Sequence, residues 1–213
     1  MMNMKLALLS CAVAGVVLSG CSSPEKTARY LIDPPSLSAQ VPNRLGTAEL
    51  KDVSLPEYAS GQEVAYQTKD GAVRSTPKNL WADTPERAFT LTLARAISDV
   101  SGATVIGEPW PLAEPPQRVL EVRVEKALAQ ANNTYRLRGR YFVSDEASGG
   151  ANHARGFDIS VPMSNESPAA TAAAQSQAIS MLAQQIATLS GPGRSIATQT
   201  PKLSDPFALD PLF

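Results

Sequence analysis

"LEVRVEKALAQANNTYRLRGRYFV", residues 120–143, carries the fold. Leu120, Val122 and Val124 alternate with Glu121, Arg123 and Glu125. Beyond Asn132-Asn133, Tyr135, Leu137, Tyr141 and Val143 alternate with Arg136, Arg138 and Arg140. Successive side chains of a strand point to opposite faces, so each run has one buried and one wet face. The asparagine pair between the runs marks a turn. A loop at Ser148-Gly149-Gly150 then leads to Phe157, Ile159 and Val161, which alternate with Asp158 and Ser160. Three such runs in succession predict an antiparallel meander.

Helical periods flank the meander. In "ADTPERAFTLTLARAISDVSG", Thr84 suits the cap, Pro85 the first helical position and Glu86 the first turn. Phe89, Leu93, Ile97 and Val100 share one face, Arg95 and Asp99 are spaced to pair on the other, and Gly102 stops the helix. A second helix is expected from Pro168 to Leu189, capped by Ser167 and ended by Gly191-Pro192. Its apolar stripe is Ala178, Ile179, Leu182, Ile186 and Leu189. The opposite face holds only small and amide side chains, and the part around Gln177, Gln184 and Gln185 is expected to be covered by another subunit or partner, or simply to be exposed. Upstream, residues 28–32 and 47–55 read as strands, and Glu63 to Thr68 with Ala72 to Ser75 as a hairpin about Lys69-Asp70-Gly71. Strands, helix, strands, helix is an α+β pattern: one domain, an antiparallel sheet with two main helices on one face.

The arginines of residues 136–140 lie on alternate positions, roughly 6.8 Å apart, and so line one face of their strand. Two readings compete. Arg136, Arg138 and Arg140 contact anionic lipid headgroups, or they form cross-strand pairs with Glu121 and Glu125; the pairing reading is favoured.

The N-terminus has a different grammar. Lys5 precedes an uncharged apolar run, residues 6–18, too short to span a bilayer, which takes about 20 residues, but right for the h-region of a signal peptide. Leu18-Ser19-Gly20-Cys21 follows and resembles a bacterial lipobox. That resemblance implies diacylglycerol on the Cys21 thiol, cleavage before Cys21 and acylation of the freed amine, palmitate-type chains fixing the protein to a membrane. An ordinary signal peptide with an incidental cysteine is the competing reading. Cys11 lies within the discarded run, so Cys21 would be left without a disulfide partner. Residues 1–20 are thus read as signal peptide and 21–27 as tether. Ser22 stands where an aspartate favours inner-membrane retention, which points to the outer membrane, periplasmic face.

The 213 residues suit one domain, large enough to fold without metal or disulfide. With 19 basic and 20 acidic side chains the net charge is −1, against a nucleic-acid partner. The single histidine, His153, sits in what reads as an exposed loop, and no metal-ligand spacing, phosphate loop or nucleophile elbow occurs. Asp145-Glu146 would point to opposite faces of a strand. No cofactor and no catalytic residue is expected, and the protein is read as a non-enzyme.

"VSLPEY" (53–58) and "NLWA" (79–82) complete the picture. With Tyr30-x-Ile32 after the lipobox, the hairpin at Gly71, Trp81 and the long helix behind it, the chain resembles the ABC-type transport auxiliary lipoprotein family over about residues 28–190. Members often carry an aromatic before Tyr30; this chain has Arg29. The resemblance implies an outer-membrane docking or receiving lipoprotein. It would serve an ABC permease, an ATPase and a mammalian-cell-entry (MCE) protein that move phospholipid or other hydrophobic cargo. A structural lipoprotein in outer-membrane assembly is the alternative. Trp81 and Tyr58 become docking candidates, although Trp81 also suits packing on the sheet. The proline-rich tail, 191–213, shows no further period. Its "SDPFALDPLF" is expected to dock Phe207, Leu209, Leu212 and Phe213 in an apolar groove of its own domain, of a second copy in a homo-oligomer, or of the transporter.

Overall fold

The computed structural model describes residues 26–35, 40–145 and 151–197. The meander is there: β7 (Arg118–Gln130), β8 (Thr134–Asp145) and β9 (Ala151–Pro162) pair antiparallel in sequence order. Asn133 takes a left-handed φ of 58° at the first turn. Leu120, Val122, Leu137, Tyr141, Ile159 and Val161 are all buried on one face.

β7 is interrupted. Its register with β8 shifts between Val124 and Lys126, so the bulge falls at Glu125. Before it the inward positions are 120, 122 and 124; after it they are 127 and 129. One extra residue restores the match between inward faces, the ordinary effect of a bulge. Gly139 sits opposite. A Cβ there would stand 2.2 Å from the Arg123 carbonyl oxygen and 2.7 Å from Phe157 Cζ, so only glycine fits. Just past the bulge, the Ala127 amide donates to the Tyr58 hydroxyl at 3.2 Å.

Two helices cover the inward face. The first, α2 (Pro85–Ser101), buries Phe89, Leu93, Ile97 and Val100 completely, as the spacing requires. Gly102, at φ 68°, ends it. Its cap differs from expectation: the Thr84 side chain makes no capping bond, and Asp83 Oδ1 accepts the Thr84 amide at 2.9 Å instead. Arg95 pairs with Asp33 at 2.8 Å rather than with Asp99. α3 (Pro168–Ala187) is capped as expected by Ser167, whose Oγ accepts from the Ala170 amide. It stops earlier than Gly191, where Leu189 turns left-handed at φ 55°. The Tyr141 hydroxyl reaches up from the sheet and donates to the Ser190 carbonyl, just past the end of the helix.

The remaining strands, β2 (Thr47–Leu50), β6 (Thr104–Gly107) and β10 (Gly193–Ala197), complete a mixed sheet in the order β10-β9-β8-β7-β2-β6. β2 runs parallel to both β7 and β6, with α2 as the crossover that parallel neighbours need. β2 ends at Leu50, short of the expected 55. The hairpin β3 (Tyr66–Gln67) and β4 (Val73–Arg74) closes on Gly71, φ 87°, and touches β7 at Ala129. Two departures stand out. His153, expected in a loop, lies on β9. And β10 (Gly193–Ala197) pairs antiparallel with Ala151 to Arg155, so the sheet reaches past the expected domain end at 190 into what read as a flexible extension.

Apart from this sheet, β1 (Ala28–Tyr30) pairs parallel with β5 (Asn79–Trp81). The segment after β1 runs on along α3. Ser176 Oγ accepts the Asp33 amide at 2.9 Å, and Ser180 Oγ donates to the Pro35 carbonyl at 3.0 Å. Between β1 and β2 no regular element is described. A short helix, α1 (Glu57–Ser60), carries Tyr58.

Candidate functional site

The long helices pack on one side of the sheet, and on the other side the meander's charged positions face solvent, while Leu128 there is covered. Glu121, Arg123 and Glu125 of β7, Arg136, Arg138, Arg140 and Phe142 of β8, and Asp158 and Ser160 of β9 stand on this outer side by register. The structure therefore brings the three predicted arginines together on one wet surface, and it also sorts them. Arg136 forks onto Asp158 with bonds of 2.8 and 2.6 Å. That guanidinium holds the Asp158 carboxyl below the usual carboxylate range. Arg138 forks onto one oxygen of Glu125 at 3.2 and 3.1 Å. Cross-strand pairing thus accounts for two of the three. The expected Glu121 partner goes elsewhere: it accepts from Arg123 on its own strand at 2.5 Å.

Arg140 has no carboxylate within 4.0 Å among the described residues. Its guanidinium carbon lies 5.9 Å from the Phe142 ring centroid, and that of Arg123 lies 5.1 Å from the same centroid. Cations near an aromatic face are attracted by its quadrupole. Arg123 and Phe142 were not among the sequence candidates. The signal that reaches them is the slip of the apolar positions in β7, from 120, 122, 124 to 127, 129, which fixes Arg123 opposite Arg140.

A second surface lies beside α3. A groove of about 700 Å³ runs between the N-terminal segment and the helix, with Tyr30 and Leu31 on one side and Ala172, Ala173, Ser176 and Met181 on the other. Leu31 is 71% exposed and Met181 39%. Where the neutral helix face at Ser176 and Ser180 is covered, the cover is the chain's own segment, residues 33–35. Gln177 and Gln184 are exposed and Gln185 half-buried.

Trp81 is 5% exposed and packs in the core, so it presents almost no surface to a partner. Tyr58 is half-buried and its hydroxyl serves the β7 bulge. Cys21, Phe207 and Phe213 lie outside the described residues, as do Glu146 and Ser148-Gly149-Gly150. His153 is half-buried beside Ser195, with Oγ and Nδ1 2.9 Å apart. Burial, then Arg155 and Arg118, pushes its pKa below the ordinary 6.5. Among the described residues no group of three or more His, Cys, Asp or Glu is placed to hold a metal ion, and no helix is long and apolar enough to cross a membrane.

The family model described as "ABC-type transport auxiliary lipoprotein component" matches residues 30–187, the span from β1 to the last turn of α3. Two solved structures share the fold. One, an uncharacterized protein, aligns at TM-score 0.58 and 18% identity over 70% of this chain and 96% of its own. The other, protein XCC0632 of Xanthomonas campestris, of the DUF330 family, aligns at 0.56 and 14% over 75% and 94%. No curated protein matches the chain significantly.

Proposed function

The chain belongs to the ABC-type transport auxiliary lipoprotein family, and from that premise we propose that it is the outer-membrane docking or receiving subunit of an ABC/MCE-type envelope transporter. Membership implies association with a transport system and a membrane-anchored place in the envelope. In the finer reading, Cys21 is acylated and holds the domain on the periplasmic face of the outer membrane. An MCE protein, an ABC permease and an ATPase are its partners, and phospholipid or another hydrophobic molecule is the cargo. The role is non-catalytic: the protein binds and positions, and the chemistry of energy use belongs to the ATPase.

The observation that carries this is the match over residues 30–187 placed directly behind an h-region and Leu18-Ser19-Gly20-Cys21. The fold is compatible with it. Among the described residues the domain offers a basic sheet face and an apolar groove beside α3.

Capture of the full-length lipoprotein from gently solubilised membranes tests it. The MCE protein, permease and ATPase should co-elute with phospholipid enriched over the bulk membrane. Co-elution with envelope-assembly proteins, and with no transporter subunit, would replace this reading by a structural one.

A further inference from the structure

We propose that Arg123 and Arg140, sharing the Phe142 ring, bind the phosphodiester group of a phospholipid headgroup on the open face of the sheet. Arg123 and Arg140 are Cα partners across β7 and β8 and point to the same, outer side. Like charges directly opposite each other weaken a sheet. Such a pair is tolerated where something else compensates it.

The compensation on the protein is incomplete. Four arginines and Lys126 on this face meet three carboxylates: Asp158 takes Arg136, Glu125 takes Arg138 and Glu121 takes Arg123. Two positive charges are left among the described residues, at Lys126 and at Arg140, and Arg140 stands beside a second guanidinium. It lies in a chain whose overall charge is −1. A single negative charge seated between Arg123 and Arg140 would remove the repulsion and supply the missing partner.

The arrangement is also prepared for that ligand. The Phe142 ring engages both guanidiniums, at 5.1 and 5.9 Å from its centroid, and so restrains two otherwise mobile side chains. Restraint before binding lowers the ordering cost. On the other side of Arg140 the strand neighbour is Gly156, which has no side chain of its own and against which Pro192 packs. Guanidinium forks match the oxygens of phosphate in pairs. A phosphodiester carries one negative charge, enough to relieve the Arg123–Arg140 repulsion. A shallow, open sheet face suits a group presented at the surface of a lipid more than a small molecule needing enclosure. The choice of a lipid as bearer of the phosphodiester rests on the transport reading above.

The test uses the full-length lipoprotein in an uncharged detergent, titrated with glycerophosphoglycerol, the water-soluble headgroup of phosphatidylglycerol. Arginine Nε–H resonances are followed by NMR. Those of Arg123 and Arg140 should shift saturably. Arg140→Gln should weaken binding roughly tenfold, as loss of a charged hydrogen-bond partner does. Arg138→Gln, whose charge Glu125 already meets, should change it by less than about twofold. Absence of a saturable shift in the unmodified protein overturns the proposal, whatever the variants do. So does an equal response to inorganic phosphate at the same concentration, which marks a general anion site. Tighter binding of a glutamate-rich peptide overturns it too, and makes the face a protein-docking surface. Failure here with transporter subunits still captured removes this inference alone. Success here without them keeps the site and removes the transport reading.

Discussion

The Ser180 hydroxyl of α3 donates to the Pro35 carbonyl at 3.0 Å, and one turn earlier Ser176 accepts the Asp33 amide at 2.9 Å. Two serines in an alanine-rich helix thus strap the N-terminal segment to the domain. Each bond stabilises by about 1 kcal/mol net. The double variant Ser176→Ala, Ser180→Ala should therefore lose about 2 kcal/mol or less. Hydrogen exchange should quicken at the Asp33 amide while the meander amides stay protected. Unchanged exchange at Asp33 would mean that the strap is held by other contacts.

Gly139 lies opposite the β7 bulge with no room for a side chain. Gly139→Ala would bring its Cβ against the Arg123 carbonyl, which is backbone and cannot swing away. Overpacking of this kind costs about 1–3 kcal/mol or more. The urea midpoint should fall accordingly. Gly71→Ala offers a control of another sort: no atom stands within 4 Å, and only its positive φ resists the change.

His153 gives a pH dependence with a definite sign. Its folded pKa lies below the ordinary 6.5 because burial and the Arg155 and Arg118 charges oppose protonation. The unfolded chain therefore takes up its proton first as pH falls. Stability from this group is intact above 6.5, declines as pH drops from 6.5 toward the folded pKa, and then levels off. His153→Gln should flatten the decline over that window. It is the only histidine in the chain, so the loss of slope is attributable to it. An identical slope in the variant would assign the titration to other groups.

Cys21 is the predicted attachment point of the lipid. Cys21→Ala should abolish incorporation of radiolabelled fatty acid and leave the unprocessed chain unable to mature. Persistent labelling would rule out the lipobox reading.

Much of the architecture was legible because its signals are local. Alternation in residues 120–143 and 157–161 placed the meander, and Phe89, Leu93, Ile97 and Val100 placed the helix over it. What escaped depends on distant partners. The strand from Thr47 was legible, but its end at Leu50 and its parallel pairing on both sides were not, since no local pattern encodes a partner. Gly193–Ala197 contains too few apolar residues to show a period and becomes a strand only by pairing with β9. Arg95 had a suitable neighbour at Asp99, yet Asp33 competed from 62 residues away and won. The same holds for the candidate site. The arginine stripe was visible, but which arginine stays unmatched depends on register, and register depends on one bulged residue, Glu125.

The N-terminal segment has a mechanical consequence. If Cys21 is fixed in a membrane, any drag on the domain enters the fold at Ala28. It then runs lengthwise along β1, whose parallel partner β5 continues toward α2. Tension along a strand pair loads its bonds together instead of peeling them one by one. Behind that pair stand the Asp33 and Pro35 contacts to α3 and the Asp33–Arg95 ion pair to α2. The leash is thus tied to both helices before it reaches the sheet. The rate at which these ties yield, more than the overall stability, sets how hard the domain can be pulled before it opens.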